Sequence, residues 1–295
     1  MTIERHEGSS GLRLPSLPDR LPLLERLLAE AIEIPVVQAY RKRAHFTFFC
    51  GYRPDELAGY DAQLEAVGRC LEWFVFDYRI AELDQTPAEH WFELNEEHFT
   101  PDDHLLAHRC LEFILGLFEV MHVEPHQGLW LTDLLREQPT YVRESHLSAE
   151  VREGQLLLGR LFPFQDIYCL SGMATVMPQE ATDDVKRLLS QMSTDRYSLI
   201  EGLDGIELEN LFGRTLSQID RCEDLGLLHE RMSQFLATVG PAEMSFSTYL
   251  DRINRSADAF DVVSRLEAAI PITCPHELAL ITSLVTATWF ATHKP

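Results

Sequence analysis

The sequence predicts an α+β protein in which helical N- and C-terminal parts flank a small five-stranded β-barrel-like module. Three observations carry that expectation. Apolar residues recur at helical spacing in residues 1–117, the period drops to that of strands in residues 118–178, and helical signals return in residues 179–295. With 295 residues, 45% of them hydrophobic and 24% charged, the chain can bury a sizeable core and pack as one or two compact units.

Leu24, Leu27, Leu28, Ala31 and Ile32 mark a short amphipathic helix that Pro35 breaks or kinks. Leu64, Val67, Leu71, Phe74, Val75 and Tyr78 mark a second, whose buried face is aromatic towards its end. Thr86, Pro87 and Glu89 have the spacing of a capping box, with the threonine as N-cap and the proline in the first helical position. Thr100 and Pro101 repeat the cap, and Asp102 and Asp103 follow where the helix dipole favours negative charge. Those two carboxylates therefore already have a structural task.

The predicted strands are 118–123, 129–132, 140–143, 155–161 and 167–176. Turn residues His126 to Gly128, Gln138 and Pro139, Glu153 and Gly154, and Pro163 separate most of them. Five strands in so short a stretch have the size of a small barrel or rolled sheet. Farther on, Gly240 and Pro241 mark a break and Ser245 a helix cap. Pro275 opens a last helix whose Leu278, Ile281, Leu284, Val285 and Trp289 predict packing rather than exposure. Residues 177–184 and 192–195 read as short linkers.

The net charge of -22 is unevenly spread. Residues 1–60 balance eight acidic against eight basic side chains, whereas residues 61–120 hold fourteen acidic and three basic ones. A surface so negative repels phosphate backbones and favours a basic protein partner. The dense basic patch is Arg41, Lys42 and Arg43, beside Tyr40, His45, Phe46, Phe48 and Phe49. Cations among aromatics can stack bases, though such a run more often caps a helix C-terminus. No apolar run is long enough for a membrane span, and Glu4, Arg5, His6 and Glu7 occupy the place a signal peptide would make apolar, so a cytoplasmic protein is expected. The six cysteines are scattered without a C-x-x-C pair, as expected of buried free thiols, and no cofactor is expected.

There is no nucleophile elbow, P-loop, dinucleotide fingerprint, H-E-x-x-H or EF-hand loop, so the common motif-bearing enzyme classes are disfavoured. One cluster stands out, because four of the twelve histidines lie in nineteen residues with several carboxylates: His90, Glu93, Glu96, Glu97, His98, Asp102, Asp103, His104 and His108. Glu93, Glu96 and Glu97 are the candidate partner-binding residues. His104 and His108, four apart on one helix face, are the candidate metal ligands of a metal-dependent hydrolase, with Glu97 or His98 folding back as a third. Leu111 and Leu115 continue the same stripe, so the histidines also fit a packing face. In the β module, Asp133, Glu144 and Arg160 stand beside apolar strands, and a buried ion pair explains them better than a binding pocket.

The runs Glu72 to Tyr78, Thr86-Pro87, Phe118 to Val120, Gly128-Leu129, Leu131 to Leu135, Val142 to Glu144, Gly154 to Leu158 and Leu170 to Gly172 resemble a group of uncharacterised bacterial proteins. Many of that group end in a SEC-C zinc motif. The likeness covers most of residues 60–180 and extends weakly to residues 289–295. It implies an architecture rather than an activity, and no metal ligands carry over, because no cysteine follows Cys274.

Together these readings lead to a non-enzymatic interaction or adaptor module that presents the acidic helices of residues 61–120 to a basic partner. The alternatives are nucleic-acid binding through the β module and Arg41, Lys42 and Arg43, and metal-dependent hydrolysis at His104 and His108.

Overall fold

The computed structural model describes residues 22–49, 51, 63–134, 136, 138–191, 205–208, 225–239, 245–256, 258–270 and 275–293. Its elements in chain order are helices α1 (Pro22–Ala31), α2 (Pro35–Phe48), α3 (Gln63–Phe76), α4 (Pro87–Asn95) and α5 (Pro101–Leu111). Strands β1 (Ile114–Glu124), β2 (Gly128–Asp133), β3 (Pro139–Arg143), β4 (Leu156–Phe164), β5 (Ile167–Leu170) and β6 (Thr175–Val176) follow. Helices α6 (Gln179–Gln191), α7 (Leu225–Val239), α8 (Phe246–Arg255), α9 (Ala259–Ala269) and α10 (Pro275–Thr292) come last. The expected α+β architecture, with helical parts on both sides of a five-stranded barrel, is what the chain adopts.

Strand order β1-β2-β3-β5-β4 closes because β4 also pairs with β1. Every neighbour is antiparallel except β3 and β5, which run parallel through Val142 with Tyr168 and Arg143 with Cys169. Phe118, Val120, Leu129, Leu131, Val142, Leu157, Leu161 and Leu170 belong to one buried cluster, the barrel's own core. β4 is buried almost end to end because its other face lies under helices. There Leu156 and Leu158 meet Ala181 and Val185 of α6, and Phe162 joins the cluster of α1, α4 and α5.

The capping chemistry forms as its spacing predicts. Thr86 accepts from Glu89 N and Thr100 from Asp103 N, and each acidic side chain reciprocates to the threonine N–H. Thr100→Ala should cost about 1 kcal/mol, read as a lower urea midpoint with an unchanged slope. Ser245 likewise accepts from Thr248 N at the start of α8.

Several boundaries move. Helix α5 ends at Leu111, so Leu115 does not extend its stripe but lies in β1, in register with Arg160 on the neighbouring strand β4. The predicted strand 167–176 divides into β5 and β6, because the chain turns over β4 at Gly159, where an added Cβ would lie 2.7 Å from the Ala174 Cβ. Pro163 is not in a turn but within β4, beyond the part paired with β1, where its missing N–H costs the ladder nothing. The turn is Gln165, held at φ 53°. Residues 179–184, read as linker, begin α6. The basic run sits inside α2 rather than at its end. The break at Gly240 and Pro241 and the linker 192–195 lie outside the described residues, as do Cys50, Cys222 and Cys274. Cys70, Cys110 and Cys169 are buried thiols outside any disulfide, and burial, reinforced by Cys169, pushes the Cys110 thiol up to about 12.

Helices α7 to α10 share a core of Leu228, Met232, Phe235, Tyr249, Ile253, Leu266, Ile281 and Val285. A polar clamp joins this bundle to the rest. Arg43 on α2 donates through Nε and Nη2 to the fully buried Glu277 of α10, at 2.5 Å each, and Tyr78 Oη donates to the same carboxylate at 3.1 Å. Phe46 meets Phe235 beside it.

Candidate functional site

A polar cluster at the α3–barrel seam, an aromatic pair on the barrel's outer face and a groove between helices compete as functional sites. At the seam, Arg160 faces α3, with its guanidinium paired to Asp77 and, at 3.5 Å, to Glu72, and lying 5.2 Å from the Phe113 ring centroid. Arg69 donates to Thr175. Burial raises the Glu72 carboxyl above its ordinary range, against the opposing pull of Arg160, Ser171 and Arg69. The ion pair expected for Arg160 therefore exists, with partners from a helix rather than from the barrel. Asp133 pairs instead with Arg136 at 2.6 Å, and Glu144 accepts from the backbone N–H groups of His146 and Leu147. The void beside Arg160 and Trp73 measures about 10 Å³, the space of one water and no substrate.

On the barrel's outer face, Trp130 and Tyr141 are cross-strand neighbours with ring centroids 5.2 Å apart, and both donate to Glu124. This aromatic pair carries its own carboxylate, which is unfavourable for a phosphate backbone.

The groove lies where α4 and α5 pack side by side, and it measures about 200 Å³. Its apolar lining is Phe92, Phe99, Ala107 and Leu111. Glu89, Glu93 and Glu96 line it from α4 and the turn that follows, at intervals of four and three residues, and His104 and His108 line it from α5. The two capping boxes set this geometry, since each fixes where its helix starts. Gln85 donates to Glu93 at 2.9 Å, and Glu89 is shared between the Thr86 cap and Arg79 at 3.7 Å. His104 stands edge-on to Phe99. Arg26 on α1 lays its guanidinium 5.1 Å from the Trp91 centroid and 5.9 Å from that of Phe99, so this ring cluster already holds one cation.

The predicted site residues are thus partly brought together. Glu93, Glu96, His104 and His108 share the groove, whereas Glu97 is exposed but does not line it. Among the described residues, no three His, Cys, Asp or Glu are grouped so as to hold a metal ion. Arg41 and Lys42 are exposed on α2, but Arg43 is engaged by Glu277, and Phe48 and Phe49 are buried in the core, where they cannot stack a base. Glu89, which the sequence marks only as part of a cap, and Phe92 and Phe99, which it does not single out, also line the groove. Glu89 and Glu93 at helical spacing, with Phe92 between them, were the signal that could have found them.

No curated protein and no solved structure matches this chain. Residues 61–198 match the model of a family of unknown function (DUF7986), a stretch that runs from α3 through the barrel and α6 and contains the whole groove.

Proposed function

We propose that this chain is a protein-interaction module whose α4–α5 groove receives a basic side chain of a partner protein. The observation that carries this reading is the pairing of an aromatic floor with a row of carboxylates. A lysine or arginine has an apolar stem and a charged head, and can lay the stem on Phe92 and Phe99 while the head meets Glu93 and Glu96. The volume suits one such side chain with its flanking contacts rather than a large cofactor. The excess of acid over residues 61–120 adds long-range attraction for a basic partner.

The same reading includes kinship with the bacterial group that often carries a SEC-C motif, supported by the residue pattern of 60–180, and a cytoplasmic setting. No helix among the described residues is long and apolar enough to cross a membrane.

The test is capture of partners from the source cells after nuclease treatment, followed by affinity measurement with the purified partner. Glu93→Lys with Glu96→Lys should weaken that affinity at least about tenfold, and Glu97→Lys much less. Equal effects of the two changes, or none, would remove the groove from the interaction. Loss of all captured protein on nuclease treatment would favour the nucleic-acid alternative instead.

A further inference from the structure

The bundle of α7 to α10 contains a second concavity whose chemistry is opposite to that of the groove. Thr248, Arg252 and Arg255 stand on one stripe of α8, at intervals of four and three residues, and Arg265 faces them from α9. Three arginines thus line one pocket of about 320 Å³ in a chain with 47 acidic and 25 basic side chains. We propose that this pocket binds a small phosphate-bearing anion.

Charge and pairing support the assignment. Asp251 and Asp261 also line the pocket, so its formal balance is one positive charge. Arg255 pairs with Asp251 at 3.0 Å and Arg265 with Asp261 at 3.0 Å, whereas Arg252 has no carboxylate partner among the described residues. Both pairs link residues four apart on exposed helix faces, with the arginine side chains 79% and 64% exposed. Such pairs are weak, and a phosphate oxygen accepting charge-assisted hydrogen bonds from a planar guanidinium competes well with them. Arg252 supplies the uncommitted charge, and its two neighbours need only rotate.

The scaffold is fixed beforehand. Trp289 Nε1 on α10 donates to the Ser256 carbonyl at 3.2 Å, and Ser256 Oγ donates to the Asp258 carbonyl at 2.7 Å, which ties Ser256, a residue of the pocket wall, to α10 and to Asp258. The volume accepts a phosphate with a compact organic body, at the lower end of the range for small-molecule sites. A nucleic-acid strand is excluded as occupant by the field of a chain with net charge -22, which a single small anion can overcome locally.

The experiment is calorimetric titration of the full chain at low ionic strength with ribose 5-phosphate and with inorganic phosphate, and with sulfate for comparison. One equivalent of ribose 5-phosphate should bind, more tightly than sulfate. Arg252→Gln should weaken it at least tenfold while leaving the circular dichroism and thermal midpoint unchanged. Asp251→Asn, which removes a competing carboxylate, should tighten it, a change of sign that mere loss of structure would not give. Arg152→Gln, on an exposed barrel loop, should change nothing. Binding of inorganic phosphate as tight as that of the ester confines recognition to the phosphate group and still supports the site. Absence of saturable binding at millimolar ligand, equal affinity for sulfate, or equal loss with Arg152→Gln would overturn it.

Discussion

Arg160→Met is expected to lower the stability of the fold by about 3–5 kcal/mol, the cost of breaking a buried ion pair from one side. Arg160 is 2% exposed, and its removal takes from Glu72, also 2% exposed, and from Asp77 the guanidinium that both face, with Arg69 and Ser171 left to support Glu72. Urea unfolding followed by far-UV circular dichroism gives the number. Adding Glu72→Leu to Arg160→Met should recover part of the loss, because the stranded carboxyl is then gone. If the double variant is no more stable than the single one, the seam is not electrostatically coupled.

Glu72 also sets a pH dependence. Its folded-state value lies above the unfolded one, because burial opposes the charged form. Folding therefore favours the protonated carboxyl: its stabilising contribution is complete below about pH 4.3 and is lost as pH rises through the folded value. Glu72→Gln cannot titrate, so its stability relative to the parent should improve as pH rises above the unfolded value.

Glu277→Ala is expected to cost about 3 kcal/mol and to loosen the bundle of α7 to α10 from α2. The carboxylate is fully buried and serves three donors at once, two from Arg43 and one from Tyr78. Its loss leaves the guanidinium of Arg43, 11% exposed, without its buried partner. The expected sign is a split unfolding curve in which the tryptophan signal and the far-UV signal no longer coincide. Coincident curves at the parent midpoint would show that apolar contacts such as Phe46 with Phe235 suffice for docking.

What could be read from the sequence was what is decided locally. The caps at Thr86, Thr100 and Ser245 depend on residues three apart and appear where their spacing places them. Five of the strands also appear, since alternation and turn residues act over short distances, although Gly159 reorganises the last predicted one. The partners of Arg160 lie 83 and 88 residues away, just past the end of α3 and on it, and no periodicity announces a pairing across that distance. The groove was half legible for the same reason. Glu93 and Glu96 stood out as a partner surface and His104 and His108 as metal ligands, but only the packing of α4 on α5 puts both sets around one floor of Phe92 and Phe99. The arginine pocket is not legible in the sequence because Arg252 and Arg255 read as ordinary charges of a helix end and Arg265 as an exposed charge inside the next helix.

The clamp at Arg43 joins residues 234 positions apart in the chain. During synthesis, α2 leaves the ribosome long before α10 exists, so Arg43 and Tyr78 wait in water and must surrender that hydration when Glu277 arrives. The barrel and its covering helices close over contacts of shorter separation, and loop-closure entropy favours their forming first. Docking of α10 is then the step that closes the clamp, and a nascent chain stalled before residue 275 would display an open, positively charged face on α2.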